Sequence, residues 1–148
     1  MIKKIGLTGS LGTGKSTVAW MFSELGMPII EADKISQRLL EPKGHAWKVL
    51  FERYGSKILG KDEVIDRKAL ADIVFADESE LRFLEKLIHP LVYEEIKTEI
   101  QRLYKNGKKV VIIDVPLLYE CNWDSEMDEV IVVTCNEEEQ LTRCMKKR

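Results

Sequence analysis

The stretch Gly9–Ser16, which reads G-S-L-G-T-G-K-S, decides the fold of this 148-residue chain. It matches the pattern G-x-x-x-x-G-K-[ST], in which glycines let successive backbone N–H groups turn toward a phosphate. The periodicity predicts a strand over Lys3–Thr8, just before the stretch, and a helix that opens at Lys15. The N-terminus of that helix adds a positive dipole, so the stretch predicts a loop that binds nucleotide phosphates.

The side chains of this phosphate loop have separate predicted roles. Lys15 is a mobile cation for the β- and γ-phosphates, and the Ser16 hydroxyl can bind Mg²⁺. We predict that the nucleotide is contacted by Gly9, Gly12, Thr13, Gly14, Lys15, Ser16 and Thr17.

A second acidic group is expected near the metal. Val110–Asp114 is a run of four β-formers that ends in a carboxylate, the pattern of a Walker B strand. That strand lies beside the first strand in P-loop folds, so Asp114 is predicted near Ser16 and its Mg²⁺. The alternative is that Asp114 only begins the turn into Val115.

The composition is that of a globular domain with a substantial core. Hydrophobic residues make up 45% and charged residues 32% of the chain, which argues against wholesale disorder. The formal charge of −2 provides no global positive field for nucleic acid or anionic lipid. The apolar runs are too short for a membrane helix, and the three cysteines lack metal-ligand spacing. We therefore expect a cytoplasmic protein with reduced thiols and neither nucleic acid nor membrane as partner; oligomeric state is not predicted.

Strands alternate with helical stretches along the chain, which indicates an α/β fold with a parallel sheet covered on both faces. After the first strand, the predicted strands are Met27–Glu31, Lys109–Asp114 and Glu129–Thr134. A long helix is predicted over Glu78–Tyr104, bent or interrupted at Pro90, and a final helix begins near Asn136. Trp20, Trp47 and Trp123 are predicted to pack in the structure rather than to act as stacking platforms.

The class of nucleotide-binding protein follows from what surrounds the loop. Small GTPases need an N-K-x-D motif, which the chain lacks, and AAA-type motors need larger chains. The mostly helical insertion after the second strand suits a small-molecule kinase, in which it would hold the acceptor. Two alternatives stay open: a kinase for a nucleoside monophosphate or a small hydroxy acid, and a non-catalytic nucleotide-binding regulator.

Several motifs, in the same order, resemble those of the dephospho-CoA kinase family, and the resemblance covers the whole chain. They are Ile5–Thr17 for the opening segment, Glu31-Ala32-Asp33 for D-A-D, Asp66–Leu70 with Val74-Phe75 for D-R-x-x-L…V-F, His89-Pro90 for H-P, Val115–Glu120 for V-P-L-L-F-E, and Gln140–Arg143 for Q-x-x-R. Glu31 in place of the first Asp and Tyr119 in place of Phe are mild departures.

The resemblance implies ATP-dependent phosphorylation of the 3′-hydroxyl of dephospho-CoA, with Mg²⁺, giving coenzyme A and ADP. It implies a P-loop kinase domain over residues 1–148, with sheet order 2-3-1-4 and a helical acceptor region at about residues 34–108. Family members continue further, with a lid and another strand. A chain truncated before the lid and lacking a fifth strand is therefore expected, and such a piece should bind ATP weakly and turn over little.

The resemblance also implies two catalytic side chains besides Lys15. Asp33 would accept the proton of the acceptor hydroxyl or orient that hydroxyl for attack. From its residue type alone, Asp33 is equally suited to be the N-cap of a following helix. Arg143 would face the phosphates and adenine of the donor, where residue chemistry alone suggests a solvated surface arginine.

Acceptor binding is predicted for Arg67, His89, Leu117 and Leu118. Arg67 is the best cation in the helical insertion for an anionic acceptor, and the alternative is a surface ion pair with Asp66 or Asp62. His89 could instead only sit against Pro90. For Leu117 and Leu118, ordinary core packing is the alternative.

Overall fold

A computed structural model describes residues 1–9, 13–115, 118 and 122–134 of the chain. In these residues a four-stranded, all-parallel sheet has the order β2-β3-β1-β4, which confirms the predicted α/β class and strand order. The strands are β1 (Lys3–Thr8), β2 (Ile29–Glu31), β3 (Val110–Asp114) and β4 (Glu129–Val132).

Five α-helices accompany the sheet in the described part of the chain. They are α1 (Lys15–Glu24), α2 (Ala32–Leu39), α3 (His45–Tyr54), α4 (Arg67–Ala76) and α5 (Glu78–Lys105). Short 3-10 turns occupy Gly55–Ile58, Lys61–Glu63 and Asp124–Glu126. None of the described helices is long and apolar enough to cross a membrane.

The central strand β3 is buried on both faces, and so is the carboxyl-terminal half of β1, from which the site extends. Successive residues of β3, Val111, Ile112 and Ile113, are at most 1% exposed, although their side chains point alternately to opposite faces of the sheet. β1 pairs with β3 from Lys3↔Val110 to Leu7↔Asp114. Since all strands are parallel, their carboxyl ends meet at one edge of the sheet, and Asp114 lies at that edge.

The described residues group into two compact units. One contains Met1–Asp33 and the chain from Thr98 onwards, and the other is Lys34–Lys97. The first unit contains the sheet. The second has its own apolar cluster, formed by Trp47, Leu50, Ile58, Ile65, Leu70 and Val74. Trp47 donates a hydrogen bond of 2.8 Å from Nε1 to the Glu63 carbonyl, so this tryptophan packs as predicted.

Of the two predicted effects of Pro90, a bend or an interruption, the interruption is wrong, because α5 runs as one helix from Glu78 through Pro90 to Lys105. Proline removes the hydrogen bond to the carbonyl four residues earlier, here that of Lys86. Both residues are exposed, so water can satisfy that carbonyl. β2 begins two residues later than predicted and β4 ends two residues earlier. The predicted final helix lies outside the described residues.

Candidate nucleotide-binding site

The phosphate loop joins the carboxyl end of β1 to the N-terminus of α1 in the first unit. Gly14 precedes the helix with φ 96° and ψ 14°, a left-handed conformation that side-chain-bearing residues rarely adopt. Gly14 provides no side-chain cap, so the first N–H groups of α1 remain available to an anion. Gly12, one of the predicted contacts, lies outside the described residues.

Gly9 lies where the backbone of the loop passes very close to its surroundings. A Cβ atom at this position would be 2.7 Å from the Val133 carbonyl oxygen and 2.9 Å from Thr13 Oγ1. The Val133 N–H donates to the Thr8 carbonyl at 2.9 Å, which holds the end of β4 against β1. Thr13 is only 5% exposed. The backbone at Gly9 is therefore enclosed by the Val133 carbonyl, just after β4, and by the Thr13 side chain, and only glycine fits there.

Gly9→Ala is accordingly expected to weaken ATP binding at least ~10-fold and to lower the free energy of unfolding by about 1–3 kcal/mol, the usual cost of overpacking. The atom in the way is a backbone oxygen, which cannot rotate aside as the end of a side chain can. Gly60→Ala is a matched control, because its new Cβ would meet its nearest neighbour at 3.4 Å, an ordinary contact. Calorimetric ATP titration and thermal denaturation measure both effects. An alanine at position 9 that binds ATP like the parent would contradict the assignment of this loop.

Lys15 and Asp114 form an ion pair between the phosphate loop and the end of β3. The ammonium Nζ of Lys15 donates to Oδ1 of Asp114, and the two side chains are only 16% and 12% exposed. The Val115 N–H donates to the Leu7 carbonyl at 3.0 Å, which fixes the backbone just after Asp114 against β1. A charge-assisted hydrogen bond in such a sheltered place is stronger than one on the surface. The structure thus brings together the lysine and the acid that the two motifs singled out.

Asp33 follows the neighbouring strand, β2. Glu31, the last residue of β2, pairs in register with Asp114, and α2 begins at the next residue, Ala32. Asp33 is therefore inside the first turn of α2 and exposed, and the alternative that it is the N-cap is wrong. The ends of β2 and β1 are separated by two strand spacings, or about 10 Å. Asp33 thus emerges at the edge of the sheet that carries the phosphate loop.

The predicted acceptor residues Arg67 and His89 belong to the second unit. Arg67 is exposed at the start of α4 and has no ion pair with Asp66 or Asp62. Asp66 instead caps α4, accepting from the N–H groups of Lys68 and Ala69 at 3.1 and 3.2 Å. His89 is half-buried on α5.

Leu118 is completely buried in the first unit. A Cβ atom placed on Gly6 of β1 would lie 3.2 Å from Leu118 Cδ2. Leu118 therefore packs in the core, which was the alternative to acceptor binding. Leu117 and Arg143 lie outside the described residues.

Sequence reasoning missed the position of Trp20. It is 60% exposed on α1, so the prediction that it packs is wrong. The signal was present in the spacing, because Trp20 is two residues from both Val18 and Phe22 and therefore faces the opposite side of the helix.

Comparison with known proteins gives a consistent result. The family model described as dephospho-CoA kinase matches residues 3–148. A dephospho-CoA kinase from Carboxydothermus hydrogenoformans is 41% identical over 143 residues, which cover 97% of this chain and 69% of that protein. The one from Halalkalibacterium halodurans is 38% identical, with coverages of 97% and 71%.

Solved structures show the same fold. The Thermus thermophilus protein TT1252 superimposes with a TM-score of 0.87 at 32% identity, covering 99% of this chain and 72% of that one. The dephospho-CoA kinase from Campylobacter jejuni has a TM-score of 0.68 at 23% identity, with coverages of 99% and 96%. At that identity the second likeness supports the fold alone.

Proposed function

The chain belongs to the dephospho-CoA kinase family, and from this premise we propose how its own residues carry out the reaction. It is a kinase of coenzyme A biosynthesis that phosphorylates dephospho-CoA with ATP as the donor. We propose that the acceptor group is the 3′-hydroxyl and that Mg²⁺ assists. We also place the enzyme in the cytoplasm, where ATP is supplied and thiols stay reduced.

The observation that carries this proposal is the Lys15–Asp114 pair at the carboxyl edge of the sheet. The β- and γ-phosphates of ATP bind at the N-terminus of α1, whose first N–H groups and positive dipole favour an anion. Lys15 starts that helix, so its ammonium is within reach of the same phosphates. Once it turns from Asp114 to the γ-phosphoryl group, it stabilises the charge that spreads over the phosphoryl oxygens in the transition state.

The oxygen ligands around this pair fit Mg²⁺. Ser16 offers a hydroxyl and Asp114 a carboxylate, and both are hard oxygen donors of the kind Mg²⁺ prefers. Mg²⁺ is usually held by one or two protein oxygens together with water and substrate phosphates, and these two side chains would provide the protein oxygens. When bound, Mg²⁺ would neutralise phosphate charge.

Asp33 is the proposed partner of the attacking hydroxyl. The 3′-oxygen forms a bond to the γ-phosphorus while the bond from that phosphorus to the bridging oxygen of ADP breaks. The hydroxyl proton passes to the Asp33 carboxylate, or is only oriented by it before release. The exposed position of Asp33, just beyond β2, supports access to a bound acceptor.

We extend the proposal to the other predicted site residues. Arg67 and His89 contact the acceptor, with the helical region at about residues 34–108 serving that purpose within one kinase domain. Leu117 borders the acceptor, and Arg143 and Gly12 contact the donor.

Acceptor-dependent formation of ADP tests the proposal. The full-length protein is incubated with ATP and Mg²⁺ plus dephospho-CoA, AMP or a small hydroxy acid, and the products are identified by liquid chromatography and mass spectrometry. We expect coenzyme A and ADP in equal amounts with dephospho-CoA only. ADP with another acceptor would instead identify a different small-molecule kinase. ATP binding without acceptor-dependent ADP would identify a regulator.

A further inference from the structure

Beside the phosphate site lies a cavity of which the mechanism above uses only Ser16 and Asp114. It has a volume of about 450 Å³ and lies wholly within the first unit. Ser16 and Asp114 line one part of it, and Trp20 and Ser23 line it from α1. Glu31 at the end of β2 also lines it. Binding cavities for small molecules are commonly about 300–1,000 Å³, so this one is large enough for a nucleoside.

Trp20 is the unusual feature of this cavity. An indole that is 60% exposed is not held in place by core packing, whereas Trp47 in the second unit is 9% exposed. Trp20 is four residues after Ser16, so the two side chains lie on the same face of α1, one turn apart. The rise of a helix places them about 6 Å apart along its axis. The cavity therefore extends from the phosphate-binding end of α1 to an accessible aromatic face.

We infer that this cavity binds the adenosine end of dephospho-CoA, with its adenine stacked on Trp20. The inference rests on the proposed function, in which the 3′-hydroxyl attacks the γ-phosphoryl group. Only the atoms of one sugar ring separate that hydroxyl from the adenine of the acceptor. The acceptor adenine must therefore lie close to the phosphate site, as the cavity does. The donor's own adenine is separated from its γ-phosphate by a ribose and two further phosphates.

The side chains of the cavity wall suit a nucleobase. Its amino group can donate to the Glu31 carboxylate or to the Ser23 hydroxyl. The indole face supplies the stacking surface that every nucleobase can use.

Three single variants test the inference: Trp20→Ala, Trp20→Phe and Met21→Ala. Met21 is a matched control, because it is the next residue of α1, is 53% exposed and does not line the cavity. Stacking is worth about 1–3 kcal/mol per base, so Trp20→Ala should raise the Kd for dephospho-CoA about 5- to 150-fold. The Kd for ATP should change less than about twofold, since Trp20 is proposed to contact the acceptor only. Trp20→Phe should recover most of the affinity, and Met21→Ala should leave both Kd values unchanged.

Isothermal titration with dephospho-CoA and with ATP separates the outcomes. If the full-length parent protein binds ATP and phosphorylates dephospho-CoA but Trp20→Ala leaves the acceptor Kd unchanged, the cavity assignment is wrong and the function stands. If Trp20→Ala weakens ATP instead, the cavity belongs to the donor and the inference is overturned. A full-length parent protein that does not act on dephospho-CoA contradicts the proposed function itself. Trp20→Phe keeps the test valid if the alanine variant does not fold.

Discussion

Replacing Lys15 by alanine is expected to lower kcat by about 10²–10³-fold, which corresponds to about 3–4 kcal/mol of lost transition-state stabilisation. The ammonium opposes charge that develops on the phosphoryl oxygens, and alanine leaves no donor in its place. The measurement is kcat from ADP release at saturating ATP and dephospho-CoA, in the variant and the parent.

The ion pair with Asp114 adds a second expected effect of the same substitution. From the sequence, a lysine that faces the phosphates should leave the fold intact when it is removed. In the structure, its loss leaves the Asp114 carboxylate, 12% exposed, without its counter-ion. Breaking a buried pair costs about 3–5 kcal/mol, and partial solvent contact reduces this, so we expect a loss of about 1–3 kcal/mol in nucleotide-free protein.

A second substitution separates catalysis from stability. Adding Asp114→Asn to Lys15→Ala removes the unpaired charge, so the melting temperature should recover while kcat stays low. Lys3→Ala is the matched control, because Lys3 also pairs with an acid, Glu129, at 2.7 Å across adjacent strands. That exposed pair lies away from the phosphate loop, so kcat should change less than about twofold. Full turnover by the Lys15→Ala variant would contradict the assignment of the donor site.

Asp33→Asn is expected to lower kcat by about 10²–10⁴-fold, or about 3–5 kcal/mol, with the Kd for ATP nearly unchanged. Asparagine keeps the shape and a hydrogen-bonding group but loses the negative charge that attracts the proton. A loose phosphoryl-transfer transition state needs little help from a base. A fall near the lower limit would therefore assign Asp33 an orienting role, and one near the upper limit would assign it proton transfer.

The melting temperature of Asp33→Asn shows whether Asp33 acts in catalysis or only stabilises α2. A carboxylate in the first turn of a helix contributes about 0.3–1 kcal/mol through the helix dipole, so Asp33→Asn should lower the melting temperature only slightly. Glu78→Gln is the control, because it removes a first-turn carboxylate from α5, where the side chain is 88% exposed. It should shift stability by a similar amount without changing kcat. If Asp33→Asn also leaves kcat unchanged, Asp33 stabilises α2 and has no role in catalysis.

Features that depend on adjacent residues were predicted from the sequence better than features that depend on contacts between distant segments. The phosphate loop was identified because its glycines, lysine and serine are adjacent in the chain and act through the local backbone. The apolar run before Asp114 predicted a central strand, since a strand buried on both faces needs such residues at every position. The start of β2 and the end of β4 were less well predicted, because pairing with neighbours rather than composition decides where a strand starts and stops.

The arrangement of the site was decided by tertiary structure. Lys15 and Asp114 are 99 residues apart in the chain, and they meet only because β1 and β3 pair in parallel with Leu7 opposite Asp114. The cavity at Trp20 has the same origin, because residues of α1, β2 and β3 line it together. Local chemistry could be derived from residue types and spacing. The ion pair and the cavity could not, because each depends on how separate strands and a helix are placed against one another.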